Sequence, residues 1–369
     1  MRFLTADYLY PLNTKPIKKG VLQITEQGEV VNIFKSRRDI SSESLEIYNG
    51  ILCPGFINAH CHLELSHLLG LAERNKGLLN FIETMQKRSN YRTSIILEAI
   101  KNAEIQMIKN GIVAVGDICN TADTLFQKQK HNLQYYNFIE IFGIRIREIN
   151  MKIDKGLSLR EKFRDIGQKA TIVPHAPYSV MPALMKKIVS NFDDYDYTFS
   201  LHTHEIKSEN QLFNMKNGQL FEWLNNKDAD QSIWDNRDNF ADIIDELSNN
   251  KTIMVHNTYA KKEDLSSNYY CTCPSANLYI ENRLPNYKIF NEEKLCVGTD
   301  GLSSNISLSI LEELKIINNN SEYDLNTLLK IACKNGAEAL GFKDLGTFEK
   351  GKNPGVNLLK NLDEVKVLL

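Results

Sequence analysis

Two hydrophobic periods divide the chain. Over the first fifty residues apolar and polar positions alternate in short stretches, as at 20–25 and 29–34, which Glu26-Gln27-Gly28 joins. A period of two with turn residues between the stretches predicts strands and a small β-domain. From residue 51 onward the pattern changes. Short apolar runs rich in β-branched residues stand at 51–58, 112–119, 134–142, 170–174, 197–201, 252–255, 269–273 and 294–298. Amphipathic stretches with a period near that of a helix lie between them, for instance 95–109, 181–191 and 308–318. Unbroken apolar runs are what strands buried on both faces require, and their alternation with helices predicts βα units around a parallel sheet. Eight runs is the number for a (β/α)8 TIM-like barrel.

Residues just past the C-terminal ends of barrel strands build the active site, so the residues at the end of each run are informative. The first run leads into His60-Cys61-His62, the fourth into His175, the fifth into His202-Thr203-His204-Glu205, the sixth into His256 and the eighth into Asp300. Six of the eight histidines therefore stand at such positions. An open doubly wound sheet that binds a nucleotide needs a glycine-rich loop after its first strand, and Pro54-Gly55-Phe56-Ile57-Asn58-Ala59-His60 is not one.

His60 and His62 lie two apart on an extended backbone, so both imidazoles project to one side and can close on a single cation. His202 and Asp300 complete the set from across the barrel. Three imidazoles and one carboxylate suit zinc, with iron as the alternative. A cation so held lowers the pKa of bound water towards neutrality, which is what hydrolysis requires. One metal is expected: a bridging carboxylated lysine would have to end the fourth run, but Lys169 precedes that run and His175 ends it. Glu205, three residues beyond His202, is placed to carry a proton to a leaving group. His256 is either a further ligand or a group that polarises the water.

Composition removes other classes. With 369 residues, 42% of them hydrophobic, the chain can bury a large core. Lysine plus arginine (44) nearly balance aspartate plus glutamate (46), for a net charge of −2, which gives no broad footprint for nucleic acid or an anionic membrane. No run approaches the roughly 18 apolar residues of a membrane helix, and the N-terminus lacks a secretory h-region, so the expected location is cytoplasmic. The seven cysteines are scattered and odd in number, which suits reduced thiols. Cys271-Thr272-Cys273 is the close pair, read as packing rather than as a second metal site.

Together, Pro54 to Glu64, the His202 and Glu205 pair, His256 and Val297-Gly298-Thr299-Asp300-Gly301-Leu302-Ser303-Ser304-Asn305 resemble the amidohydrolase superfamily, in its chlorohydrolase and nucleoside-type deaminase branch. Cys273-Pro274-Ser275-Ala276-Asn277-Leu278 resembles that family's strand-seven element, and 345–352 resembles the start of its C-terminal strands. The resemblance implies a composite β-sandwich built from 1–50 and 343–369 around a metal-dependent barrel at 51–342. It implies His60, His62, His202 and Asp300 as metal ligands, with Glu205 as proton shuttle, His256 as the residue that orients water and Asp300 as base. It further implies that water adds to an amidine-like ring carbon and that ammonia leaves once Glu205 has protonated the amine.

For the substrate, His175 matches a position that contacts substrate in relatives. Glu64 resembles a feature of the subgroup that includes aminofutalosine deaminases, where a carboxylate can meet a ring nitrogen or a ribose hydroxyl. Arg145 and Arg147 share one side of an extended backbone after the third run, within reach of a substrate carboxylate or phosphate. The stretch 206–251 carries both tryptophans, Trp223 and Trp234, each read first as packing. It is either a lid over the pocket or a homodimer contact. The leading reading is a deaminase of an aminated purine-like or pterin-like heterocycle. The alternatives are displacement of another group, such as chloride or a substituted amine, and a non-catalytic scaffold, against which the full ligand set argues.

Overall fold

The computed structural model describes residues 1–369 apart from 42–43, 194–196, 236, 238–239, 248–249 and 267. Eight parallel strands form its centre: β1 (Phe56–Cys61), β2 (Ile112–Cys119), β3 (Gln134–Ile141), β4 (Lys169–Pro174), β5 (Phe199–Thr203), β6 (Thr252–His256), β7 (Tyr269–Thr272) and β8 (Leu295–Val297). They pair in chain order as two half-sheets, β1 to β4 and β5 to β8. The halves meet at two seams. The His202 N–H donates to the His175 carbonyl at 2.9 Å on one side, while those of Thr299 and Asp300 donate to the His60 carbonyl at 3.0 and 3.1 Å on the other. Asn58 reinforces the second seam by bonding both the hydroxyl and the N–H of Thr299. Gly298 is required there, because a Cβ would fall 2.7 Å from the His60 carbonyl oxygen.

The sequence explains these elements. β2 is buried at every position except Val113, as a strand covered on both faces must be. The helix Thr93–Lys109 turns Ile96, Ile100, Ala103 and Met107 inward, a spacing of three to four that makes one stripe. Ser309 caps the helix Ile310–Asn320 by accepting the N–H of Glu312.

Both chain ends contribute to one small sheet, in which Asn357–Lys360 pairs with Ile51–Cys53 and with Glu364–Val367. A second sheet joins Arg2–Thr5, Val21–Ile24, Val30–Phe34 and Leu45–Ile47. Leu4, Leu22, Leu52, Phe348 and Leu358 fill a core of their own beside them. The apolar run 51–58 is thus two strands. Pro54 has no N–H to give a ladder, and at Pro54-Gly55 the chain leaves the small sheet for the barrel. The fifth strand starts two residues later than its apolar run, so His202 lies inside it. Among the described residues no helix is long and apolar enough to cross a membrane.

Candidate active site

The C-terminal strand ends bring five side chains onto one floor. His60, from β1, is fully buried, and the His62 ring stands edge to face with it at 5.0 Å between centroids. His202, from β5, lies 4.9 Å from His60 by the same measure, and its Nε2 is 3.4 Å from His62 Nε2. Asp300 Oδ1 lies 3.5 Å from His60 Nε2 and 3.4 Å from His62 Nε2. Donor atoms of His60, His62 and His202 fall within 4.8 Å of one another, as do those of His60, His256 and Asp300.

This donor set fits a divalent cation. Neither ring nitrogen of His60 nor Nδ1 of His62 has a hydrogen-bond partner, although all three atoms are buried. Buried polar atoms are almost always satisfied, so such orphans ask for a ligand. Burial, above all, keeps the imidazoles neutral: it lowers His60, takes His62 down to about 3 and holds His202 well below its ordinary range. His202 Nδ1–H donates to the His175 carbonyl at 2.9 Å, which leaves Nε2 with its lone pair towards the other donors. Burial opposes ionisation of Asp300, yet His60, His62 and His256 together hold its carboxyl well below the carboxylate range. Ser304 Oγ–H donates to Asp300 Oδ2 at 2.5 Å and fixes the carboxylate.

The backbone is strained at this floor. His256, Asn257 and Asp300 adopt φ of 69°, 54° and 56°, a left-handed region that non-glycine residues occupy at a cost and that recurs at functional sites. The turn at His256 aims its Nε2 at Glu205 Oε1, 3.8 Å away, while Nδ1–H donates to Asn277 Oδ1 at 2.8 Å. Burial pushes Glu205 up to about 7, with Asp300 adding to the rise and His256 opposing it.

Above the floor lies a cavity of about 640 Å³, in the range of small-molecule sites. His62, His202, His256, Asp300 and Glu205 reach it from below, and Leu78, Phe81, Ile82, Met85 and Trp223 form an apolar wall. His175 also faces the cavity, its Nδ1 2.6 Å from Ser179 Oγ. Trp223 is both wall and packing, whereas Trp234 is buried against Phe221. The stretch 206–251 therefore supplies Trp223 and Lys227 to the wall, while its positions 236, 238–239 and 248–249 lie outside the described residues.

Of three expected substrate contacts, Glu64 and Arg147 lie off the cavity and Arg145 lines it with its guanidinium already engaged. Glu64 is fully buried and accepts from Arg88 at 2.7 Å, from the N–H groups of Asn120 and Thr121 and from the Thr121 hydroxyl. Its carboxylate ties loops together and does not line the cavity. Arg145 lines the cavity, but its guanidinium is held by Glu148 at 2.9 Å and by the Lys227 carbonyl at 2.6 Å. Arg147 is exposed and off the wall, because the chain enters a 3₁₀ turn at Ile146–Glu148 instead of continuing extended. Lys169 opens β4, at the end away from the floor, and donates to the Gly341 carbonyl. The sequence reading missed Glu140 on β3, whose buried Oε1 has no hydrogen-bond partner and whose carboxyl burial pushes up to about 8. An acid inside an apolar run was the available signal.

The model of the amidohydrolase family matches residues 51–367. The chain belongs to that family. The amidohydrolase is 26% identical over 370 residues to an adenosine deaminase of Helicobacter pylori, covering 91% of this chain and 85% of that one. Its fold superposes with a TM-score of 0.82 on the crystal structure of H. pylori aminofutalosine deaminase in complex with methylthio-coformycin, at 22% identity over 97% and 91% of the two chains. An adenosine deaminase from Xanthomonas campestris with bound zinc gives 0.72 at 19% identity over 96% and 83%. At these identities the two structures attest a shared fold.

Proposed function

We propose that this amidohydrolase is a hydrolytic deaminase that converts an adenosine-like aminated heterocycle to its oxo product and ammonia. The observation that carries this reading is that the donor atoms of His60, His62 and His202 lie together with those of His60, Asp300 and the strained His256, beside Glu205, at the bottom of one cavity of about 640 Å³. The names of the similar proteins, two adenosine deaminases and an aminofutalosine deaminase, support the same chemistry. His60, His62, His202 and Asp300 would hold the metal, and zinc is the assignment that the zinc-bound relative favours. When bound, the metal supplies Lewis acidity that makes water a nucleophile near neutral pH.

The chain's own groups do the rest. Asp300, ionised, takes the proton released as water adds to the ring carbon. His256, held by Asn277, turns the lone pair of Nε2 to that water and orients it. As the hydroxyl adds, the C=N electron pair moves to the ring nitrogen; Glu205 then donates a proton to the amino group. The pair returns to re-form C=N and expel neutral ammonia, the hydroxyl proton shifts to the ring nitrogen to give the oxo product, and the proton on Asp300 restores Glu205 by way of solvent. Two carboxyls with opposite protonation states in one cavity divide acid from base. The apolar wall excludes bulk water and takes the faces of the heterocycle. Seven buried free thiols suit a reducing compartment, and we place the enzyme in the cytoplasm.

The test is ammonia release by metal-replete protein over adenosine, 5′-deoxyadenosine, methylthioadenosine, aminofutalosine and guanine. Release from an adenosine-like compound, abolished in Glu205→Gln, is expected. Silence across the panel by protein that carries its metal would overturn the reading.

A further inference from the structure

The opposite end of the barrel carries a cavity that the proposed chemistry leaves unused. It measures about 340 Å³ and lies where Tyr197 and Lys251 lead into β5 and β6 and Tyr269 opens β7, at the strand ends away from the metal donors. Its other walls are the helix Asn335–Leu340 and the connection 343–352, which leads from the barrel into the small sheet. The volume suits a small ligand.

Lys251, Lys334, Lys343 and Lys352 line this cavity against only two carboxylates, Glu338 and Glu349. Lys334 is paired with Glu293 at 3.2 Å and Glu338 at 3.8 Å, and Lys352 with Glu349 at 3.1 Å. Lys251 and Lys343 have no carboxylate within 4.0 Å among the described residues. Lys251 Nζ donates to the Glu338 carbonyl at 2.6 Å and to the Tyr197 hydroxyl at 2.8 Å, which uses two of its three N–H groups. Two more ammonium groups stand against aromatic rings of the wall: Lys294 Nζ is 4.1 Å from the Tyr269 centroid, and Lys169 Nζ is 4.9 Å from that of Phe342. Asp344 acts on Lys169, and Glu293 is shared with Lys330 at 2.6 Å, so the nearby acids do not balance the lysines. Burial, above all, lowers Lys251 to about 8, Lys294 adds to the fall, and Glu338 and the Cys296 thiol oppose it. Burial and Lys343 lower Lys169 in the same way, with Asp344 opposing.

These cations come from separate segments and repel one another, in a chain whose net charge is −2. Cations disfavoured by burial and by like charge gain most from an incoming anion, and a phosphate brings nearly two charges and three acceptor oxygens. The aromatic wall is preformed. Tyr197 is clamped against Gly341, where φ is 70° and a Cβ would fall 2.6 Å from the ring, yet 43% of the tyrosine is exposed.

We propose that this cavity is a second ligand site, for a small phosphorylated molecule whose phosphate is received by Lys251 and Lys343 and whose organic part covers Tyr197. The site rests on its own walls and charges and is independent of the deaminase reading. Its ligand would join the base of the barrel to the connection that carries the chain into the small sheet.

The experiment is calorimetric binding to the metal-replete protein with ribose 5-phosphate, inorganic phosphate and ribose as probes, at low and high salt. We expect ribose 5-phosphate to bind most tightly, inorganic phosphate more weakly and ribose not at all, with the affinity for both phosphates falling as salt rises. Lys251→Met keeps the stem on Tyr197 and should weaken ribose 5-phosphate by about 10-fold, the worth of one hydrogen bond to a charged group. Lys343→Met changes an exposed residue of the connection, so its folding is not at stake, and it should weaken binding in the same direction. Failure of both phosphates to bind would overturn the site. Binding that both variants leave unchanged belongs elsewhere on the molecule and would overturn it equally.

Discussion

Two of the buried polar clusters among the described residues differ in one respect. Lys128 is fully buried, ion-paired with Asp117, donating to Asn137 Oδ1 at 2.6 Å and lying 3.2 Å from Cys119 Sγ. Asp117 in turn accepts the N–H of Leu63, the residue after His62, at 2.8 Å. Its demands are met within the chain. At the active-site floor, by contrast, both nitrogens of His60, Nδ1 of His62 and Oε1 of Glu140 are buried without a hydrogen-bond partner. Burial alone thus does not mark a functional group. Between these two clusters the difference is whether the chain satisfies what it buries, and an unmet buried polar atom costs about 1–3 kcal/mol unless a ligand completes it. Glu64 falls on the satisfied side, which is why it reads as an anchor.

The comparison can be broken by substitution on each side. The largest effect belongs to Asp300→Asn, which removes the proposed ligand and base: kcat should fall by roughly 10⁴-fold, the upper end for a proton-transfer group, and bound metal measured by mass spectrometry should fall with it. Glu205→Gln should cost about 10²- to 10⁴-fold in kcat while metal content stays near wild type. On the satisfied side, Lys128→Met leaves Asp117 buried without its partner and should destabilise the fold by about 3–5 kcal/mol, read by denaturant unfolding, with kcat per folded molecule retained. A catalytic loss without a stability loss in that variant would erase the distinction. Trp223→Ala, on the cavity wall, should raise KM about 10-fold with little change in kcat, within the roughly 1–3 kcal/mol of a base stacked on an aromatic side chain.

The smallest effect is a pH slope. Glu209, whose carboxyl burial pushes up to about 8, accepts the Glu205 N–H at 3.2 Å. The folded chain keeps this proton at pH values where the unfolded chain, with an ordinary carboxyl, has lost it. The contribution of Glu209 to the stability of the metal-free protein therefore falls as pH rises from about 5 to 8. Glu209→Gln should flatten that part of a plot of Tm against pH, and an unchanged slope would show that Glu209 does not hold its proton.

The barrel and its floor were legible because both are written as local patterns. A strand buried on two faces must be an unbroken apolar run, and a residue at its C-terminal end needs no further information to reach the centre of a barrel. His60, His62, His202, His256 and Asp300 all obey that rule. What the chain does beyond strand ends was not legible. Arg147 left the cavity because three residues turned into a 3₁₀ helix, and Glu64 was captured by Arg88, which is 24 residues away in sequence. Lys128 shows the same limit, since nothing local reveals that Asp117, Asn137 and Cys119 converge on its ammonium. The first run also hid a break at Pro54-Gly55, where two adjacent strands serve different sheets. A local turn decides the first, and contacts between different elements of the fold decide the other three.

The most direct test of the unsatisfied floor is a titration of metal-free protein with zinc while ammonia release from its substrate is followed. Activity should start near zero, rise in proportion to added metal and break at one equivalent per chain, with no such break in Asp300→Asn. Release that persists without metal, or that needs two equivalents, would contradict the account of one cation completing the buried donors of His60, His62, His202 and Asp300.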